Sequence, residues 1–195
     1  QSVILAGEKE TGVCFMEMAA GLDTGAVYAC ERLPLDGTER ADLLESALGE
    51  LAAKSAVEIL CGIADGRLVK QEQDHGCATV CRKICKDHGF MDFRRPAAEL
   101  YAQIRAYYPW PGAYFELELP EKEVRITVCD AAVVPGSGEP GSILSCDKRG
   151  WVIMCQDAAL SLKSVSIPGK RVMPVTDFLN GLRGASMRIK MKDNG

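Results

Sequence analysis

The stretch Tyr114-Phe115-Glu116-Leu117-Glu118-Leu119-Pro120-Glu121-Lys122-Glu123-Val124-Arg125-Ile126-Thr127-Val128-Cys129-Asp130-Ala131-Ala132-Val133-Val134 decides the architecture of the second half of this chain. It reads as two strands, Tyr114–Leu119 and Glu123–Val134, parted by a Pro-containing charged turn. Three more candidates follow between Gly, Pro or charged turns: Ser142–Cys146, Trp151–Cys155 and Ala159–Ile167. Five strands in so short a span predict a small all-β barrel of the OB type, an architecture often used to bind nucleic acid. Val175–Leu182 reads as a closing helix. Ser186–Gly195, with Arg188, Lys190 and Lys192, reads as a basic, frayed end.

Upstream of this barrel the period is helical. Pro96 stands where a first helical residue is favoured, Leu100, Ile104 and Tyr107 form a stripe, and Pro109 stops it. Val69–Phe90 is polar, contains Gly and Cys and lacks periodicity, as an interdomain linker does. Before it, a helix is expected from Thr38, which can cap it, to Asp65-Gly66, with Leu44, Leu48, Leu51, Ser55, Ile59 and Leu60 on one face. Thr11–Met18 is apolar on both sides, as in a strand buried on both faces of an α/β sheet. A small-residue loop, Ala19–Gly25, leads to a second strand-like run, Ala26–Leu35. Val3, Ile4, Leu5 and Ala6 read as the end of a helix capped by Gly7, and the missing initial Met gives the expectation of a chain cut at its start.

The 195 residues suffice for one large domain or two small ones, and no apolar run approaches the roughly 20 residues that span a bilayer. Charge is lopsided: residues 1–78 carry a net −8, residues 79–140 a net −1 and residues 141–195 a net +5. A basic end of this kind is the footprint of a lobe that meets a polyanion, or of a solvated basic face. The 9 cysteines are odd in number and no secretory signal precedes them, so reduced thiols are expected, with Cys61, Cys129, Cys146 and Cys155 in the core. Cys77, Cys81 and Cys85, flanked by His75 and His88, have helical spacing but not that of a standard structural zinc site, so no metal is assigned.

The loop Gly21-Leu22-Asp23-Thr24-Gly25 puts one carboxylate between two glycines just after a strand, where a backbone can turn sharply and a flat ligand can approach. Taken alone, the loop reads more readily as an Asx-turn than as a ligand site. Other segments stand with it: Glu10-Thr11-Gly12-Val13, Lys83-Ile84-Cys85-Lys86-Asp87, Ile104-Arg105-Ala106-Tyr107, Pro109-Trp110-Pro111-Gly112-Ala113 and Pro168-Gly169-Lys170-Arg171-Val172-Met173. In this order and spacing, the set resembles the methionyl-tRNA formyltransferases, essentially end to end. The proline-rich segment and the helix before it are specific, whereas the glycine loop also occurs in wider users of 10-formyltetrahydrofolate. At Cys81 and Cys85 this chain departs from the family's usual residues, and neither is given a role.

The resemblance implies that residues 1–68 are the end of a doubly wound, Rossmann-like α/β catalytic domain, 69–90 a linker and 91–195 an OB-like tRNA-binding domain. It implies that Asp23 is the acidic member of an Asn, His and Asp site, where the Asn and His stabilise an oxyanion and the carboxylate positions the His and raises its pKa. Gly21, Leu22 and Thr24 would line the pterin end of the folate pocket. Lys83 and Lys86 would approach the acceptor end of the tRNA. Lys170 and Arg171, with Lys148, Arg149, Arg183 and Arg188, would make a basic surface that positions tRNA without reading sequence. Phe93, Arg94 and Arg95 are lesser candidates for that surface, with burial the favoured reading of Phe93, and Trp110 is expected to wedge the domain junction in preference to stacking on a base. The implied donor is 10-formyltetrahydrofolate and the implied acceptor methionyl initiator tRNA; a bacterial-type cytoplasmic location is expected, with an organellar one as the alternative, no metal or membrane is expected, and a monomer is the default. No Asn precedes Asp23, and the only histidines, His75 and His88, follow it. The rest of the site is therefore expected upstream of Gln1. Other readings are a non-catalytic RNA-binding fragment and a relative that formylates a sugar nucleotide or hydrolyses formyl-folate; the basic second half argues against the last.

Overall fold

A computed structural model describes residues 1–147, 150–182 and 186–191. Its second half is an antiparallel sheet. Strands β3 (Ala113–Leu119) and β4 (Lys122–Val134) form a tight hairpin in which Leu119 faces Lys122 across the turn. On the far side of β4 lie β7 (Ala159–Ser166), β6 (Gly150–Met154) and β5 (Ile143–Asp147), in that order, while the two-residue β8 (Met173–Pro174) also pairs with β7. The five expected strands are present, each to within about a residue or two at either end.

Two expectations change. The residues Arg188–Lys190 are not frayed: they form β9 against β3, because Ile189 is buried between the two outward cations. The sheet runs from β5 to β9 and, among the described residues, no pairing joins these edges, so the expected small barrel is a curled antiparallel half-barrel.

The half-barrel wraps an aromatic chain. The Phe93 ring meets Phe115 edge-on at 5.5 Å, Phe115 meets Trp151 edge-on at 5.5 Å, and Trp151 stacks on Phe178 at 5.9 Å. Phe178 comes from α4 (Val175–Asn180), which caps one side. Leu100 and Ile104 come from α3 (Ala97–Ala106), which caps another. Offset and edge-on pairs of this kind are worth about 0.5–1.5 kcal/mol each beyond the area they bury. Pro96 is the residue before the first helical one, and the free Ala97 N–H donates to Asp157 Oδ1 at 2.8 Å. Phe93 belongs to the core, and Arg94 is bonded to Asp92, so neither adds to an open basic surface.

The first half is thinner. Helix α1 (Ser2–Ala6) ends at Gly7 in the left-handed conformation, as the sequence predicts. Strands β1 (Glu10–Met16) and β2 (Val27–Pro34) form a two-stranded antiparallel sheet. The expectation of a strand buried on both faces fails: alternate β1 residues are exposed, since with one partner strand and one helix over it only one face is covered. Cys14 and Cys30 face each other across the register and are joined in a disulfide, contrary to the expectation of reduced thiols throughout. Of the four cysteines expected in the core, Cys129 and Cys155 are buried, Cys146 is half-buried and Cys61 is exposed.

Helix α2 (Ala41–Ala64) ends at Asp65 and Gly66 as read, but Thr38 does not cap it. The Thr38 hydroxyl and N–H both bond Asp36 Oδ1, and Arg40 occupies the cap position. On the expected stripe, Leu44 and Ile59 are buried while Leu60 is 61% exposed. No helix of the described residues is long and apolar enough to cross a membrane.

Residues 69–90 hold only two short 3₁₀ turns, His75–Cys77 and Lys86–Gly89. They are nevertheless tied down at several points. Gln71 exchanges both backbone hydrogen bonds with Val27 at 2.8 Å, and Ile84 packs on the small cluster of Ile4, Leu35, Leu44, Ala106 and Tyr107. The buried Gln103 amide donates to the carbonyls of His88 and Phe90 at 2.8 and 2.9 Å.

Candidate functional site

The loop between β1 and β2 carries Asp23 at φ +53, an uncommon conformation for a residue other than glycine and one that Asp tolerates better than most. Two glycines shape the turn. Gly25 is buried, and a Cβ added there would fall on the Glu17 carbonyl; a Cβ on Gly21 would lie 2.6 Å from Thr24 Oγ1. The outcome is an open presentation: Gly21, Leu22, Asp23 and Thr24 are all exposed, Leu22 to 90%. The Asp23 carboxylate has no hydrogen-bond partner among the described residues. The loop is held from outside by Gln73, whose Nε2 donates to the carbonyls of Asp23 at 2.9 Å and Gly25 at 2.7 Å. Beside it Lys70 Nζ meets Glu17 Oε2 at 2.6 Å, and that hydrogen bond raises the lysine's pKa above its ordinary value.

Sequence reasoning missed Gln73. It lies in the polar run Gln71-Glu72-Gln73-Asp74, which has no periodicity and no motif, and its importance arises only from the fold bringing the linker back over the loop.

Lys83 and Lys86 are exposed on either side of the anchoring Ile84. Lys170 and Arg171 are exposed on a turn in which Lys170 N–H donates to Ile167 O at 3.0 Å, with Gly169 at φ +76. None of these four cations has an ion-pair partner among the described residues, whereas Arg32, Arg40, Arg67, Lys70, Arg94, Arg95, Arg125, Lys163 and Lys190 are paired. Arg188 is exposed on β9, and Lys148, Arg149, Arg183 and Lys192 lie outside the described residues.

Trp110 sits at the expected seam. Gln1 Nε2 donates to its carbonyl at 2.9 Å, and with Ser2, Val3 and Leu48 it lines a cleft of about 620 Å³. Its ring is 51% exposed, so it is a partial wedge at most. A second cleft of about 670 Å³ separates the start of α2 from β4 and β7, where Arg40 lies over the Tyr108 ring at 4.1 Å and Arg105 over Tyr101 at 4.7 Å. Arg105 also donates to Glu39 O at 3.0 Å, tying the two halves together. The exposed Cys77, Cys81 and Cys85 do not converge: among the described residues there is no group of three or more His, Cys, Asp or Glu able to hold a metal.

The family described as formyl transferase, C-terminal domain, matches residues 83–183, and the chain belongs to it. Within that family its relatives carry a particular name. The methionyl-tRNA formyltransferase of Pseudomonas putida is 37% identical over 183 residues, 94% of this chain and 58% of the relative, and that of Pseudomonas entomophila is 36% identical over the same shares. The chain thus spans 58% of the length of these relatives. Among solved structures, HypX from Aquifex aeolicus in complex with tetrahydrofolic acid matches with a TM-score of 0.68 at 21% identity, covering 94% of this chain and 32% of that one. Methionyl-tRNA formyltransferase from Clostridium thermocellum matches with a TM-score of 0.52 at 20% identity, covering 85% and 60%. At these identities the structures speak for the fold alone.

Proposed function

We propose that this chain is part of a methionyl-tRNA formyltransferase, which moves a formyl group from 10-formyltetrahydrofolate to the amino group of methionyl initiator tRNA in the cytoplasm. The observation that carries this reading is the 37% identity along 94% of the chain to enzymes of that name. In the reaction the amine attacks the formyl carbon, a C–N bond to the amine forms, the C–N bond to the folate breaks, and the amine's proton ends on the folate nitrogen. Asp23 is the acidic member of the site and Gly21, Leu22 and Thr24 meet the folate; the open loop around Asp23 supports this. Lys83, Lys86, Lys170 and Arg171 meet tRNA phosphates, supported by their exposure and lack of ion pairs.

The domain boundaries proposed are 1–68, 69–90 and 91–195. The half-barrel core, whose buried residues all lie between Met91 and Ile189, and the irregular segment between α2 and α3 support that division. The first region is read as part of a doubly wound catalytic domain and the last as an OB-related tRNA module, working as a monomer.

A second reading rests on one observation: the Asp23 carboxylate meets no Asn or His among the described residues. The chain would then bind tRNA without catalysing transfer. Both readings are tested by titrating the purified protein, restored to the length of its relatives, with methionylated initiator tRNA across a salt series, with 10-formyltetrahydrofolate present. Salt-sensitive binding with transfer supports the enzyme; binding without transfer supports the second reading; no binding overturns both. Lys83→Ala and Lys86→Ala should each weaken binding and lower the salt slope by about one unit for every phosphate left without its cation. An unchanged slope removes them from the interface.

A further inference from the structure

We propose that Gln73 is a positioning residue for formyl transfer, holding the Asp23 loop in its working shape from the linker; the inference rests on the formyltransferase reading above. One side-chain amide spans two carbonyls of the same turn, Asp23 O at 2.9 Å and Gly25 O at 2.7 Å. These carbonyls bracket Thr24, in the only part of the described chain where a non-glycine residue has positive φ. A loop of exposed residues with a carboxylate at its tip and few internal ties has many conformations open to it. Two external donors on its backbone remove most of them without touching the ligand-facing side chains. Gln73 is itself held at the right reach, because Gln71 is bridged to Val27 at the root of β2 and Lys70 is paired with Glu17 at the end of β1. The two ends of the loop are therefore gripped by the same four-residue strap, and the strap leads into the segment bearing Lys83 and Lys86.

The chemistry of the side chain matters and not just its bulk. An amide presents two N–H donors; an isosteric carboxylate presents none and turns its lone pairs to the two carbonyls, but regains one donor when protonated. The test uses three forms of the protein restored to the length of its relatives, wild type, Gln73→Ala and Gln73→Glu, in the transfer assay with a tRNA titration and a pH series. Amide hydrogen exchange of residues 21–25 is read in parallel. The expected result is a fall in kcat of about 10- to 100-fold for both variants, as displacement of a reacting group by about 1 Å produces, with tRNA affinity within about twofold. Exchange in the loop should quicken in both while β1 and β2 stay protected. The ratio of Gln73→Glu to wild-type kcat should rise as pH falls through the carboxylate range, and the Gln73→Ala ratio should stay flat.

Unchanged exchange and kcat in both variants overturn the proposal. Equal loss of tRNA affinity, or loss of protection throughout β1 and β2, assigns Gln73 a general structural role and overturns it too. If the wild-type protein restored to the length of its relatives transfers no formyl group, the failure lies with the formyltransferase reading; faster exchange in the variants would then still identify Gln73 as the loop's tether, and unchanged exchange would remove it from any role there.

Discussion

The half-barrel and the hairpin region differ in how far each covers its own apolar residues. In the half-barrel Phe93, Phe115, Leu117, Ile126, Trp151 and Leu160 are at 0% exposure, around one shared centre. In the first 68 residues Leu43, Val57 and Leu60 on α2 are 62%, 72% and 61% exposed, and the small cluster of Ile4, Leu35 and Leu44 completes itself only by borrowing Ala106 and Tyr107 from beyond the linker. A two-stranded sheet is marginal in water without something packed on it, whereas seven strands around an aromatic core are stable alone. Stability therefore sits in the second half and the exposed, loop-borne chemistry in the first, with the linker touching both.

Cysteine reactivity offers the widest contrast between the two regions. Cys61, Cys77, Cys81 and Cys85 are exposed, while Cys129 and Cys155 are buried and burial pushes the Cys155 thiol up to about 12. Alkylation of the native chain, followed by mass spectrometry, should label the first four quickly and the last two at least about 10³-fold more slowly, since they react only after the half-barrel opens. Labelling of Cys155 at the rate of Cys61 would mean that the half-barrel core does not close. Reduction beforehand should add Cys14 and Cys30 to the fast group, both being exposed once unpaired.

Stability variants narrow the contrast to single residues. Trp151→Ala removes the central ring of the aromatic chain and should cost about 3–5 kcal/mol in urea denaturation, while Ile59→Ala, on the sparsely covered helix, should fall near the lower end of the aliphatic range, about 2 kcal/mol. Equal costs would show that α2 is packed as firmly as the half-barrel. Gln103→Leu leaves the carbonyls of His88 and Phe90 without their donor, for a smaller loss of about 1–3 kcal/mol. It should also quicken hydrogen exchange around the end of the linker and leave β1 and β2 unchanged.

The same contrast governs what the sequence could reveal. The five longer strands of the half-barrel were legible mainly from the Gly, Pro and charged turns that bound them; alternation is clear in Ala159–Ser166, whereas Gly150–Met154 is buried at four of its five positions and shows none. Strand β9 escaped, since one buried Ile189 between two cations is too short a pattern to stand out in a basic tail. In the first half, apolar residues on both sides of Thr11–Met18 pointed to a covered strand, but the hairpin covers only one side, so composition there ran ahead of the packing. The sharp turn at Asp23 and its glycines was legible because such turns demand particular residue types, while the site role of Asp23 came from the family resemblance alone. Gln73 was not, because nothing in a polar run says which side chain will lie across a loop 50 positions away.

The smallest effect concerns the junction where the linker enters the half-barrel. Arg94 donates to both carboxylate oxygens of Asp92, at 2.8 and 2.7 Å, and that hydrogen bonding holds the Asp92 carboxyl below its ordinary pKa. A carboxyl depressed in the folded state adds stability that is fully present above its unfolded pKa, roughly 4, and is lost as pH falls through the lower folded value. The pair is partly solvated, with side-chain exposures of 35% and 29%, so its worth is at most about 1 kcal/mol. Asp92→Asn should therefore unfold in slightly less urea than wild type at pH 7, and the gap should narrow as pH falls below the ordinary carboxylate range and close once the folded carboxyl is protonated. A gap that stayed constant across the acid range would mean that Asp92 acts through its backbone turn with Arg94 and Arg95, whose N–H groups bond Asp92 Oδ1 and Asp92 O at 3.1 and 3.0 Å, and not through its charge.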